Sequence, residues 1–131
     1  MTSSNLCFES ARELASQIRT RQLSAREVMH AHLEQIHRLN PRLNAIVSML
    51  PDDACLVLAD EADRWVARGE PLGPLHGLPI AFKDLQPAVG FPWTRGSPIF
   101  KNEVPTTDSV LVERLRTAGA IPIGKTNVPE F

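Results

Sequence analysis

Segments whose apolar residues recur at helical spacing alternate along this chain with short apolar runs bounded by proline and glycine. That alternation restricts it to folds that layer helices on a sheet. Ser10 followed by Glu13 has the spacing of a capping box, and Ala11, Leu14, Ala15 and Ile18 then share one helix face. Ser24 and Glu27 repeat the signal, and Met29, Leu33 and Ile36 carry the stripe to Asn40-Pro41, which should stop the second helix. Leu43 to Leu50 reads as a strand, ended by Pro51-Asp52, which should also cap the next helix. There Ala54, Cys55, Leu58, Ala59, Ala62, Trp65 and Val66 keep helical spacing up to Gly69. A loop rich in proline and glycine leads to the apolar strand Leu78 to Leu85, which contains one lysine, Lys83. Residues 87–105 are irregular. A fourth helix runs from about Thr107 to Ala118, ends at Gly119 and is followed by a strand from Ala120 to Ile123. These elements predict an α/β fold with helices packed on a sheet.

The 131 residues allow one modest core, so the chain is one domain or part of one. Residues 1–41 form a helical lead-in and 42–131 begin the α/β core. A net charge of -1 supplies no basic footprint for nucleic acid or an anionic membrane, and the absence of tyrosine leaves few stacking platforms. Cys7 and Cys55 lie outside any C-x-x-C spacing and read as reduced thiols, with neither disulfide nor zinc implied. No basic segment followed by an apolar run opens the chain, and no stretch approaches eighteen apolar residues. A soluble cytoplasmic protein with no membrane partner, cofactor or metal is expected.

Strand alternation puts Ile80 and Phe82 on one face and Ala81, Lys83 and Leu85 on the other. An ammonium held among such neighbours has its charged form disfavoured and can act as a general base near neutral pH. On this ground the Lys83 ammonium is expected in a cleft at the strand end, shielded from water. The alternative from the residues alone is commoner: a lysine at a strand end that extends into solvent or pairs with a carboxylate. Asp84 could orient Lys83 or the following loop, or serve as a turn-former.

Two other patterns compete. Gly119-Ala-Ile-Pro-Ile-Gly-Lys-Thr126 satisfies the written phosphate-loop pattern and raises the alternative of a nucleotide-binding module at 119–126, but the order around it is wrong: a helix precedes it, its middle reads as a strand, and Pro122 removes an N–H. Lys125 is accordingly read as structural. His30, His32 and His37 share the second helix at spacings that cannot hold one ion, and read as solvated side chains. His76, in the loop before the Lys83 strand, is the better candidate for lining a site.

Gly73-Pro-Leu-His-Gly-Leu-Pro-Ile-Ala-Phe-Lys-Asp84 resembles the G-P-L-x-G-[IL]-P-[IV]-x-[IV]-K-D segment of the amidase signature family. Phe91 to Gly96, Ser97-Pro-Ile-Phe100, Asp108 to Leu115 and Ala118 to Phe131 follow in the family's order and at its spacing, and the opening helices are similar too. The resemblance implies the N-terminal part of an α/β/α fold, with helices on a mixed sheet left incomplete. It also implies amide hydrolysis by a Ser-cisSer-Lys triad: a lysine, here Lys83, takes a proton through a bridging serine so that a second serine attacks the carbonyl. The Gly-Gly-Ser-Ser-Gly-Gly block and the later Gly-Ser segment that would carry both serines do not occur before Phe131, so the fragment by itself is expected to be inactive. The implied partners are a small-molecule amide and the remainder of the enzyme, and a homodimer of the full-length protein is left open. The glutaminase subunit of a tRNA-dependent amidotransferase shares the same segments. Ser97-Pro-Ile-Phe100 looks more like the stand-alone enzymes. A fragment that only binds a partner is the non-enzymatic alternative.

Overall fold

A computed structural model describes residues 6–131. In chain order they form α1 (Ala11–Arg19), α2 (Ala25–Leu43), β1 (Ile46–Met49), α3 (Asp52–Arg68) and β2 (Pro79–Lys83). A 3-10 turn (Pro98–Phe100), α4 (Val110–Thr117) and β3 (Ile121–Thr126) complete them.

The capping signals act as the sequence predicts. Ser10 accepts from the Glu13 N–H at the start of α1. At α2 the box is reciprocal: Ser24 accepts from the Glu27 N–H, and the Glu27 carboxylate accepts from the Ser24 N–H and hydroxyl, each at 2.8 Å. Those bonds favour the ionised form and hold the Glu27 carboxyl below its ordinary range. Its contribution to stability is present above the unfolded carboxylate pKa and is lost as pH falls through the folded value.

Several boundaries differ from expectation: β2 ends at Lys83 rather than Leu85 and α4 begins at Val110 rather than about Thr107. Pro41 does not stop α2, which continues to Leu43 and closes with Asn44 in the left-handed region at φ 49°. Asn40 instead latches the chain beyond the proline: its amide donates to the Ile46 carbonyl and its carbonyl accepts from the Ile46 N–H, both at 2.9 Å. β1 consequently starts at Ile46. Asp52 does not cap α3; its carboxylate turns to His37 Nε2 at 2.8 Å. β3 runs past Ile123 through Gly124, Lys125 and Thr126, because pairing on both sides overrides the short local apolar signal.

The sheet order is β1-β3-β2, with β1 antiparallel and β2 parallel to the central β3. On one face α1, α2 and α3 bury Ile18, Val28, Met29, Leu33, Cys55 and Ala59 against Ile121, Ile123 and Ala81. On the other, Phe82 packs with Ala88, Phe91 and α4's Val112. Helices thus lie on both sides of a small mixed sheet, as expected. Both thiols are free, and burial pushes Cys7 and Cys55 above the ordinary thiol range, which favours the protonated thiol over the thiolate.

The register slips where β2 meets β3: Ile80 pairs with Pro122 but Ala81 with Gly124, leaving Ile123 as an extra residue. A matching slip occurs in β1 between Ile46 and Ser48. Gly124 lies where the strands crowd, and a Cβ there would sit 2.4 Å from the Ser48 carbonyl oxygen. Gly124→Ala is therefore expected to force β1 away from β3 and cost roughly 1–3 kcal/mol. Urea unfolding of the variant checks this, and an unchanged midpoint would contradict it.

Candidate active site

Lys83 is the last residue of β2 and lies opposite Thr126 at the end of β3. The expected shielding is not found: within this chain Lys83 is exposed. Its apolar sequence neighbours are committed elsewhere, Ala81 to the core under α1–α3 and Phe82 to the opposite cluster. β2 is moreover an edge strand, so no further strand of the described chain flanks it. Beyond Lys83 the chain turns, with the Gln86 N–H donating to the Lys83 carbonyl at 2.8 Å.

The buried lysine is Lys125, with none of its surface exposed. The register slip at Ile123 sends it to the Phe82 face of the sheet, the face that also carries Asp84. There its Nζ donates to Asp84 Oδ1 at 2.9 Å and to the Pro92 carbonyl at 3.1 Å. The second carboxylate oxygen accepts from the Thr94 N–H at 3.2 Å and from the Thr94 hydroxyl. That hydroxyl accepts in turn from the Gly96 N–H at 3.2 Å. These bonds hold the loop that follows Asp84, and Lys125 is committed to that buried ion pair. The sequence did not signal Thr94, because its bonds to Asp84 reach across ten positions of irregular loop.

The loop that Asp84 and Lys125 hold is tightly built. Arg95, at φ 54°, stacks its guanidinium 3.8 Å from the Trp93 ring and 4.1 Å from the Phe100 ring, and pairs with Glu103 at 2.7 Å. Trp93 Nε1 donates to the Leu85 carbonyl at 3.1 Å. Ser97 and Ser109 have structural partners: the buried Ser97 donates to Glu130 at 2.8 Å, and Ser109 caps α4.

The histidines lie apart from Lys83 in role. His30 faces Glu34 at 3.7 Å, His32 Nδ1 sits 2.8 Å from its own helix's Val28 carbonyl, and His37 bridges to Asp52. His76 lines an open cleft of about 370 Å³ with Leu58, Trp65, Arg116 and Pro122. That cleft opens at the start of β3, whereas Lys83 lies level with its end. His76 Nε2 is 2.9 Å from the Ala62 carbonyl oxygen, so the ring ties the loop to α3.

Gly119 adopts φ 93° just after α4, and the Gly-Lys-Thr that follows lies inside β3 with its lysine buried. A phosphate loop needs that segment to open a helix whose N–H groups point at the ligand. Millimolar ATP or GTP with Mg²⁺ is therefore expected to leave the unfolding temperature unchanged, and a rise that Lys125→Ala abolishes would contradict this.

A small mixed sheet thus carries helices on both faces, with Lys83 at the open end of its edge strand β2. The chain belongs to the Amidase family, which its residues 27–131 match. It is 41% identical to a glutamyl-tRNA(Gln) amidotransferase subunit from Acidothermus cellulolyticus over 98% of this chain and 25% of that protein. It is 40% identical to an acylamidase of Rhodococcus erythropolis over 99% of this chain and 27% of that one. The native peptide amidase of Stenotrophomonas maltophilia superposes with a TM-score of 0.84 at 35% identity, over 92% of this chain and 25% of that structure. The chain thus spans about a quarter of the length of these relatives. No helix among the described residues is long and apolar enough to cross a membrane.

Proposed function

We propose that this chain is the N-terminal part of an enzyme that hydrolyses linear amides to a carboxylate and ammonia or an amine. Lys83 is its general base, and the bridging and attacking serines come from sequence beyond Phe131. The observation that carries the reading is the Gly73–Asp84 segment, folded as a loop and a strand that deliver Lys83 to the open end of an edge strand in an Amidase family chain. Neutral Lys83 would take the bridging serine's proton as that serine takes the nucleophile's. The alkoxide adds to the carbonyl, the amine leaves with a proton, and water then releases the acid from the acyl-enzyme. Lys83 is exposed in this chain, so its role as a base requires that the remainder of the enzyme cover it, since a lysine needs partial removal from water to serve as a base.

A second reading has its own support. The likeness to the amidotransferase protein, at 41%, is within one percentage point of that to the acylamidase, at 40%, so a glutaminase that feeds ammonia to a partner protein fits the same residues. Purified full-length protein separates the two. Release of aniline from acetanilide, or of ammonia from benzamide, by the protein alone supports the stand-alone amidase, and ammonia from L-glutamine only in the presence of partner subunits supports the other. Failure on all three, with and without partners, would remove both.

A further inference from the structure

We propose that the Asp84–Lys125 ion pair is a positioning device for Lys83, retained to aim that side chain rather than to stabilise the fold. This rests on Lys83 being the base. The pair is shut away from water, with its side chains 0% and 3% exposed and Nζ 2.9 Å from Oδ1. Desolvating two charges is costly, and an apolar pair of similar volume at such a place stabilises a fold as well or better. Stability is therefore a poor reason for keeping it, whereas direction is a good one.

The geometry says what direction is being set. Asp84 directly follows Lys83, and three of its groups are fixed at once. Its N–H donates to the Thr126 carbonyl at 3.2 Å, one oxygen takes Lys125, and the other takes the N–H and hydroxyl of Thr94. A residue held on three sides fixes the ψ of the residue before it, and with it the angle at which that side chain leaves the strand. Lys125 reaches this point only because of the register slip at Ile123, since unbroken alternation would place it with Ile121 under α1–α3. The slip, the buried pair and Thr94 all converge on the residue next to Lys83.

The test uses the full-length protein and whichever of acetanilide, benzamide or L-glutamine the wild type turns over fastest. The decisive variant is Asp84→Asn with Lys125→Met, which removes both charges, keeps an acceptor for Thr94 and leaves no charge buried alone. Its unfolding temperature is expected to stay within a few degrees of wild type, with KM within about twofold, while kcat falls on the order of 10–100-fold as a misplaced base would require. Unchanged kcat, or a fall in kcat matched by a fall in unfolding temperature, would show the pair to be scaffold only and overturn the proposal. Lys83→Ala is run beside it. If Lys83→Ala retains activity, or the wild type has none, the underlying reading of Lys83 fails. If Lys83→Ala is dead while the double variant is fully active, only the positioning role fails.

Discussion

Lys83→Ala in the full-length protein is expected to lower kcat for amide hydrolysis by about 10³-fold, within the range that a positioned general base contributes. KM should change little, since the proton transfer belongs to the transition state and not to substrate binding. Lys83→Arg makes the test sharper. Arginine keeps the charge and nearly the reach, but its guanidinium does not give up its proton in proteins, so it cannot act as a base and should be about as inactive as alanine. An arginine variant with near wild-type kcat would show that position 83 supplies only positive charge. Steady-state kinetics on the amide that the wild type turns over best decides among these outcomes. Unfolding temperature serves as the control, because a loss of kcat without a loss of stability separates the proton transfer from folding.

How far this site could be read in advance depended on whether the signal was local. Ser24 and Glu27 lie within one helical turn, and their reciprocal bonds follow from their spacing. The core stripe of α3 followed in the same way, since Cys55, Ala59, Ala62 and Val66 recur at helical intervals. Lys83 was placed at its strand end by the sequence around it, but its exposure was not foreseen. Apolar neighbours along a strand report which faces are covered, and the cover over the last residue of an edge strand must come from elsewhere in the chain. Asn40 was read only as part of a stop signal, while its side chain joins α2 to β1 six residues on. The pairing of Asp84 with Lys125 spans 41 positions and turns on one extra residue in β3, so no window of sequence contains it. Register belongs to the sheet as a whole.

The two lysines should also part company under denaturant, and Lys125→Ala is the variant expected to cost most. Truncation strips the cation from the Asp84 carboxylate, whose residue is 2% exposed in the intact chain, and leaves only the N–H and hydroxyl of Thr94 to satisfy it. Breaking a buried pair from one side in this way costs about 3–5 kcal/mol, because the remaining charge stays out of water. The vacated volume adds to the loss, since the lysine stem fills space on the Phe82 face of the sheet. The Pro92 carbonyl loses its donor at the same time, so the loop from Phe91 to Ser97 should loosen first, with Arg95 leaving its stack between Trp93 and Phe100. Urea unfolding followed by tryptophan fluorescence reads both events, because Trp93 lies in that loop. A midpoint close to wild type for Lys125→Ala would mean that water reaches Asp84 readily, and so that the pair is less isolated than its geometry requires. Lys83→Ala in the same experiment should unfold with wild type, so that each lysine is assigned by the variant that spares what the other destroys.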